Sequence, residues 1–220
     1  MKIIVSEEIR KACPSFVGAT VNITLRNTQY DDVLWKEINN SLDEYRQHYT
    51  TESIKDMPAI QATRNMYKTL GKDPSRYRPS GEALVRRTLQ GKNLYQVDTV
   101  VDLINLASIV YGYSIGGFDE DKIEGDTLTL GIGREGEPYE GIGRGLVNIS
   151  CLPVYRDAVG GIGTPTTDNE RTKISLNTTH LLAIVNGYDG DKEQVEQCAI
   201  YIKKLAERFV EGTDGKIEWF

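Results

Sequence analysis

The stretch "DTVVDLINLASIVYGY", residues 98–113, separates two parts of the 220-residue chain that differ in character. Its first residue, Asp98, is of a type that caps helices, and the apolar residues after it occupy nearly every side of a helix. Such a helix is expected in the interior, with other elements packed around it. The segments before it favour helices and the segments after it favour strands, which predicts an α+β fold.

The segments before residue 98 show helical spacing and recognisable helix ends. From Asp31, apolar residues recur at helical intervals at Leu34, Ile38, Leu42, Tyr45 and Tyr49. A second helix is predicted to begin at Pro58, whose missing amide costs nothing in a first turn, and to stop at Gly71. A third helix is predicted to follow an N-cap at Ser80, with Glu82 placed favourably against the helix dipole.

The segments after residue 113 are short β-prone runs separated by glycine-rich turns. The predicted strands are "DTLTLGI" (126–132), "LVNI" (146–149), "LPVYRD" (152–157) and "TKISLN" (172–177). A closing helix is predicted from Asp191, with an apolar stripe that includes Val195, Cys198 and Ile202. Because no linker interrupts this order, residues 1–220 are predicted to form one domain.

Composition and charge exclude several classes of protein. With 39% hydrophobic and 26% charged residues, the chain has an ordinary globular composition. No apolar run approaches the roughly 20 residues that cross a bilayer, so no membrane partner is expected. Three widely separated cysteines indicate a reducing compartment, and a cytoplasmic location is expected. The net charge of −6 argues against an indiscriminate nucleic-acid binder, and no DNA partner is expected.

One block of the sequence departs from this acidic balance. Between Arg64 and Lys92 the chain has eight basic and two acidic residues, with Tyr67 and Tyr77 among them. Aromatic rings beside positive charge suit single-stranded RNA ends. The candidate RNA-binding residues are Arg64, Lys68, Lys72, Arg76 and Arg78. The alternative is a solvated helical face whose counter-charges lie elsewhere on the fold.

Standard catalytic groups and cofactor motifs are scarce. The two histidines, His48 and His180, lie near a predicted helix end and beside an apolar run, where capping or hydrogen bonding explains them. A nucleophilic pair of Cys151 and His180 is an alternative to simple packing of that cysteine. The sequence has no metal-ligand spacing and no phosphate-binding loop, so neither a metal nor a cofactor is expected.

Several segments taken together resemble a known family. They are "GKDPSRYRPSGEALVRRTLQG", "VVDLINLASI", "GGFDEDKIEGDTLTL" with "REGEPYEGIG", and "VYRDAVGG" with "DNERTKI". In order and spacing, over roughly residues 58–190, they are similar to the editing module of phenylalanyl-tRNA synthetase, which the third and fourth domains of the β subunit form. The stand-alone bacterial version of that module matches best. The resemblance implies an α+β fold with layered mixed sheets and packed helices.

The resemblance also implies a function and site residues. In the synthetase the module hydrolyses tyrosine mischarged onto phenylalanine tRNA, so an aminoacyl-tRNA is the implied partner. The matching site positions in this chain are Ser80, Glu82, Arg86, Asn105 and Asp119. Two family residues differ here. Gly116 stands where the family has a histidine, and the stretch around Ile184 lacks the family's late glutamate.

The implied reaction needs no protein nucleophile, because an aminoacyl ester is already activated. Backbone amides can stabilise the developing oxyanion while a water molecule, aligned by the terminal ribose hydroxyl, attacks. Gly116, Gly117 and the glycines of 160–163 let the backbone approach a substrate closely. The alternative is a non-catalytic module that binds an amino-acid-like small molecule or a partner protein.

The pocket is expected where "SIGGFD" (114–119) meets "YRDAVGGIGTP" (155–165). The N-terminus of the helix near Ser80 is expected to supply amides to an anionic or carbonyl group there. Asp119 or Asp157 is expected to hold the substrate α-amino group. For each aspartate the alternative is that it only caps its own turn.

Overall fold

The computed structural model describes residues 1–220 and contains two four-stranded sheets, a two-stranded hairpin and six α-helices. The helices are α1 (Glu7–Ala12), α2 (Asp32–His48), α3 (Pro58–Thr69), α4 (Ser80–Leu89), α5 (Thr99–Tyr111) and α6 (Lys192–Phe209). The strands are β1 (Lys2–Val5), β2 (Val17–Thr24), β3 (Ile115–Asp119), β4 (Thr127–Ile132), β5 (Glu140–Gly141), β6 (Gly145–Leu146), β7 (Pro153–Arg156), β8 (Gly161–Gly163), β9 (His180–Gly187) and β10 (Thr213–Trp219). The predicted α+β class with layered mixed sheets is confirmed.

The first sheet is antiparallel, has the strand order β10-β2-β9-β3, and is covered on both faces. Alternate residues of β9 point to opposite faces. Leu181, Ala183 and Val185 belong to the core beneath the helices, whereas Leu182 and Ile184 belong to the core between the two sheets. A strand buried on both faces reads as a continuous apolar run, which is how β9 appears in the sequence.

The helix layer covers one face of this sheet. Its core is formed by α2, α5 and α6, and the helix predicted at 98–113 lies at its centre, with Leu103 and Leu106 fully buried. Asp98 caps α5 as predicted, because its carboxylate accepts the Val101 N–H at 2.9 Å. The helix predicted to begin at Pro58 also begins there. None of the helices is both long and apolar enough to cross a membrane.

The second sheet covers the other face of the first. Its order is β1-β4-β7-β8, with β1 parallel to β4 and the remaining pairs antiparallel. Leu128 and Leu130 of β4 and Ile162 of β8 pack there against Phe118 of β3 and Ile9 of α1. The protein therefore has three layers, with the antiparallel sheet between the helices and the mixed sheet.

Several elements differ from the sequence-based prediction. The helical assignment of the first part was incomplete, because β1 and β2 pair within the two sheets. "LVNI" contributes only Leu146 to a strand, and "TKISLN" is not a strand. In the latter segment the Thr178 hydroxyl accepts the Ser175 N–H at 2.9 Å, a local side-chain bond that competes with pairing in a sheet.

The start of α4 is fixed against the junction between α5 and β3. A Cβ atom on Gly81 would lie 2.7 Å from the carbonyl oxygen of Tyr113, so only glycine allows this approach. The Gly81 N–H donates to the Ser114 hydroxyl at 3.1 Å, and the Ser80 N–H donates to the Pro165 carbonyl at 2.7 Å. These contacts bring the first turn of α4 beside β3 and the segment that follows β8.

Candidate functional site

A cleft of about 480 Å³ opens where α4 and α5 meet the free edge of β3. The hairpin β5–β6 and the segments 164–168 and 173–174 complete its walls. Its apolar lining consists of Leu84, Val97, Val101, Ile104, Ile115, Ile142 and Ile174. Its polar lining includes Ser80, Asn105, Ser108, Asp168, Arg144 and Lys173. Apolar walls with a few converging polar groups are typical of small-molecule sites.

A larger concavity, of about 800 Å³, lies along the outer surface of the second sheet. It is a weaker candidate because only Ile132 and Ala158 among its lining residues are hydrophobic. Its Arg156 guanidinium is already paired with the Glu137 carboxylate at 2.6 Å. Asp157, which also lines it, already accepts hydrogen bonds from its own turn, from an arginine side chain and from the backbone of the segment before β4. This surface therefore offers a ligand few apolar contacts.

Three polar side chains in the cleft have no partner within the protein. Asn105 projects from α5 into the cleft, and its amide makes no hydrogen bond to another residue. The hydroxyl groups of Ser80 and Ser108 also lack protein partners. These three groups can donate hydrogen bonds to a ligand and accept hydrogen bonds from it.

A fourth polar group of the cleft is the carboxyl group of Asp168, at the free edge of β3. Its Oδ2 accepts the backbone N–H of Gly117 at 3.2 Å. Burial among protein atoms raises the pKa of Asp168 to about 7, although the Gly117 hydrogen bond acts in the opposite direction. The side chain keeps part of its surface open to the cleft. Asp168 was missed in the sequence, where it appears only as the first residue of "DNERTKI".

Two exposed cations lie at the mouth of the cleft. Arg144 is in the loop of the β5–β6 hairpin and makes no ion pair, whereas Lys173 pairs with Glu170. The hairpin is held over the cleft because the Ile142 N–H donates to the carbonyl of Asp168 at 3.0 Å. The mouth therefore has one unpaired cation, Arg144, and the interior contains one carboxyl group.

The structure brings three of the predicted site residues together, since Ser80, Asn105 and Gly117 all line the cleft. The cleft lies where "SIGGFD" meets the end of "YRDAVGGIGTP" beside the start of α4, the place at which a pocket was expected. A Cβ atom on Gly117 would lie 2.8 Å from Cδ1 of Ile104 and 3.0 Å from Cδ1 of Ile174. A larger residue at position 117 would therefore occupy the cleft.

Gly116 lies on the opposite face of β3 from Gly117. A Cβ atom there would lie 2.8 Å from the Phe118 ring, in the layer between the sheets. Ile184 pairs with Gly116 in the sheet and is fully buried in the same layer. The two positions at which this chain differs from the editing module therefore do not line the cleft.

The predicted role of the α4 N-terminus needs correction. Ser80 is the first residue of the helix and not its N-cap, because Pro79 occupies the cap position and no side chain caps the helix. The amides of Ser80 and Gly81 are already bonded to Pro165 and Ser114, so they are not available to a ligand. What Ser80 contributes to the cleft is its hydroxyl group.

Glu82 and Arg86 were predicted in the site but lie on the other side of α4. Glu82 is two residues after Ser80, which is about 200° around a helix. Its buried carboxylate accepts from Arg64 at 2.7 Å and from Arg86 at 3.0 Å, and Arg78 lies 3.6 Å away. These four side chains form an ion cluster between α3 and α4, outside the cleft.

Asp157 and Asp119 are also outside the cleft. Oδ1 of Asp157 accepts the N–H groups of Val159 and Gly160, both at 3.0 Å, so this aspartate caps its own turn. Asp119 is buried, and its Oδ2 accepts from Thr178 and Lys122, each at 2.9 Å. The expectation that one of these carboxylates holds a substrate amine in the pocket does not fit their positions.

The RNA-binding candidates are divided by the structure. Lys72 is buried, and its ammonium group donates to the carbonyls of Asn148 at 2.9 Å and Ser150 at 2.6 Å. It is therefore not available to a phosphate group, and this prediction does not fit. Arg64 belongs to the ion cluster around Glu82. The candidates with exposed side chains are Lys68, Arg76 and Arg78.

The pair of Cys151 and His180 is not formed. The His180 ring is exposed and its Nδ1 lies 2.9 Å from an Asp121 carboxylate oxygen, whereas no hydrogen bond joins it to Cys151. No group of three histidine, cysteine, aspartate or glutamate side chains lies close enough together to hold a metal ion. The polar groups inside the cleft are hydroxyl, amide and carboxyl groups.

The fold and the cleft define an α+β module of layered sheets with an apolar-walled cleft beside β3. The model of the B3/4 domain family matches residues 62–216, and the chain belongs to this family. The predicted resemblance to the third and fourth domains of the phenylalanyl-tRNA synthetase β subunit is thereby confirmed.

Comparison with solved structures finds 16 similar chains, one of which is a synthetase fragment. It is an N-terminal fragment of the phenylalanyl-tRNA synthetase β-subunit from Pyrococcus horikoshii, with 15% sequence identity, 98% coverage of this chain and a TM-score of 0.47. The chain spans 50% of that fragment. No curated protein matches the chain significantly.

Replacing Asp168 by asparagine is expected to change how stability depends on pH. The pKa of an unfolded aspartate is about 4, whereas burial raises that of folded Asp168 to about 7. Between these values the folded protein retains a proton that the unfolded chain has lost. The free energy of unfolding of the parent should therefore fall as pH rises, by up to about 1.4 kcal/mol per pH unit from this group.

The Asp168→Asn variant should lack this contribution. Its free energy of unfolding minus that of the parent should therefore increase as pH rises from about 4 to about 7, and should stay constant at higher pH. Urea unfolding of both proteins across this range measures the difference. Other titrating groups, such as Asp102, whose pKa burial raises to about 6, are present in both proteins. Their contributions therefore cancel in the difference between variant and parent. A difference that does not change with pH would contradict the assigned pKa.

Proposed function

We propose that this chain binds the aminoacyl end of an aminoacyl-tRNA in the cleft and hydrolyses its ester bond. The observation that carries the proposal is the set of unpartnered polar side chains, Ser80, Asn105 and Ser108, between apolar walls. A volume of about 480 Å³ accommodates an amino-acid side chain together with the ester and part of a ribose. Membership of the B3/4 domain family supports this ligand class.

The proposed chemistry uses side-chain donors. Because the amides of Ser80 and Gly81 are engaged, stabilisation of the oxyanion is assigned to the Asn105 amide and the Ser80 hydroxyl. A water molecule oriented by the free hydroxyl of the terminal ribose attacks the ester carbonyl carbon. The bond from that carbon to the ribose oxygen breaks, and a proton of the water passes to the departing ribose oxygen, which gives the free amino acid and the deacylated tRNA. The ester is activated, so correct placement of the carbonyl and the water supplies most of the rate increase.

The tRNA backbone is assigned to exposed cations. Arg144 and Lys173 lie at the mouth, where phosphates of the terminal nucleotides would pass. Lys68 lies on α3 and Arg76 on the connection to α4, and these two exposed cations are assigned to phosphates further along the acceptor strand. In this proposal residues 1–220 act as one module in the cytoplasm.

A second candidate function is binding of an amino-acid-like small molecule without catalysis. It is favoured by the absence of a paired nucleophile and base in the cleft. It is also favoured by the lack of the family's histidine at Gly116 and of its late glutamate around Ile184. The two candidates share the same cleft, so a deacylation assay separates them. Binding without hydrolysis would favour the second candidate.

Gly117→Val is expected to reduce the deacylation rate strongly by filling the cleft. We expect the parent to deacylate at least one member of a panel of tRNAs carrying alanine, serine, threonine, valine, phenylalanine or tyrosine. The variant should be slower by about 100-fold, because misplacement of a substrate by about 1 Å costs that much. Release of radiolabelled amino acid measures both rates.

The matched control is Gly160→Val, since a Cβ atom on Gly160 would meet no atom within 4 Å and the residue lies outside the cleft. This variant should retain the activity of the parent. If a folded Gly117→Val protein deacylates its substrate as fast as the parent, the reaction takes place elsewhere on the molecule.

Replacing Lys68 and Arg76 together by alanine is expected to reduce the salt dependence of tRNA binding. Each phosphate contact to single-stranded RNA contributes about 0.7 to the slope of log K against log salt, so the slope should decrease by about 1.4. Fluorescence anisotropy between 50 and 200 mM salt, a range suited to such slopes, measures it. The control replaces the exposed residues Lys11 and Lys204 and should leave the slope unchanged. An equal slope in both double variants would remove this surface from the proposed interface.

A further inference from the structure

We propose that the Asp168 carboxylate is the counter-ion for the ammonium group of the ligand, so that the cleft requires a free amine. The inference rests on the proposed function for the class of ligand, an amino-acid moiety. It goes beyond that function because it states which esters the site rejects. Esters whose amino group is acylated, such as peptidyl-tRNA and N-formylated aminoacyl-tRNA, would lack the cation that Asp168 binds.

Asp168 differs from the other buried carboxylates of the chain. Glu82 is surrounded by three arginines, Asp119 pairs with Lys122, and Asp157 pairs with an arginine. Each of these charges is therefore neutralised within the protein, as is usual for buried carboxylates.

Asp98 and Asp189 also lack a cation but do not line the cleft, and Asp102 lacks one but is closed to the cleft. Its two carboxylate oxygens accept from the Trp35 ring at 2.8 Å and from the Val97 N–H at 3.1 Å, and the residue is 1% exposed. Asp168 has no ion pair and accepts only the Gly117 N–H, at 3.2 Å. The Asp168 carboxylate therefore has no cation paired with it and can be reached directly from the cleft.

The charged and titratable groups around Asp168 do not replace the missing cation. Arg144 of the hairpin loop and Lys173, five residues after Asp168, line the same cleft. Neither lies within ion-pair distance of the Asp168 carboxylate. Tyr139, which precedes β5, donates its hydroxyl to the carbonyl of Thr167 at 2.7 Å. The carboxylate thus keeps unused acceptor sites that a ligand ammonium group can fill.

Protonation links this site to pH. Because burial raises the pKa of Asp168 to about 7, ionisation of the free protein is incomplete at neutral pH. A ligand ammonium group stabilises the ionised form and lowers the pKa of the carboxyl group in the complex. Binding of an amine should therefore weaken as pH falls below about 7 and again above about 8, where an α-amino group loses its proton.

The test compares free and N-acetylated forms of two probes, L-phenylalaninamide and L-valinamide, by NMR titration. With the parent protein, acetylation should weaken binding by about tenfold or more, because it removes a charge-assisted hydrogen bond. Asp168→Asn should bind the free amides about tenfold more weakly and should show no further loss on acetylation. The asparagine oxygen can still accept the Gly117 N–H, and circular dichroism checks that the variant is folded.

The control is Glu140→Gln, which removes an exposed carboxylate on the neighbouring strand β5 and should discriminate between the probes as the parent does. Equal binding of free and acetylated probes by the parent would overturn the inference, and this comparison needs no variant. The inference would also be overturned if Asp168→Asn distinguished free from acetylated amides as well as the parent does. The same holds if the parent bound neither free amide at millimolar concentration.

A parallel deacylation assay with N-acetylated aminoacyl-tRNA separates this inference from the proposed function. Equal hydrolysis of free and acetylated substrates would overturn the role of Asp168 and leave the proposed function intact. Amine-dependent binding of the amides, without hydrolysis of any tRNA, would support Asp168 and overturn the proposed reaction.

Discussion

The burial of strand β9 on both faces is the constraint on which the rest of the structure depends. Its alternate side chains belong to two different cores, so helices must cover one face and a second sheet the other. The residues of the neighbouring strand β3 alternate between the same two faces. Gly117 therefore lies on the helix side of the sheet and Gly116 on the side of the second sheet. The cleft forms at the free edge of β3, where the helix layer meets the loops of the second sheet.

The two faces of α4 have different roles. Ser80 and Leu84 face the cleft, whereas Glu82 and Arg86 take part in an ion cluster with the preceding helix. Breaking a buried pair of this kind strongly destabilises a protein, so the cluster is important for holding α4 in place. Much of the basic block between Arg64 and Lys92 is therefore used inside the protein. Its exposed residues Lys68 and Arg76 are the ones proposed to contact tRNA.

Features determined by local sequence were predicted well. The buried helix α5 and its Asp98 cap depend on periodicity and capping within a few residues, and both are present. The first part of the chain was harder, because β2 is rich in small and polar residues and forms a strand only through its partners β9 and β10. The family match begins at residue 62, after β1 and β2. Each of the two four-stranded sheets nevertheless includes one of these strands, β1 in the mixed sheet and β2 in the antiparallel sheet.

The candidate site was predicted only in part, because some of its residues meet only through contacts between distant parts of the chain. Ser80, Asn105 and Gly117 meet in the cleft, but Asp168 reaches it through its contact with the Gly117 N–H, 51 residues away in the chain. Nothing local distinguishes it from Asp157, which caps its own turn. The burial of Lys72 likewise depends on the carbonyls of Asn148 and Ser150, far along the sequence.

The central claim is that the cleft beside β3 binds an aminoacyl group attached to a terminal adenosine. A crystal structure with a non-hydrolysable 3′-aminoacylamide of adenosine tests it most directly. The account predicts the amino-acid part between Asn105 and Gly117, with its amine at Asp168 and the adenosine beside Arg144. Density for the compound only along the outer surface of the second sheet, or an empty cleft at saturating concentration, would contradict it.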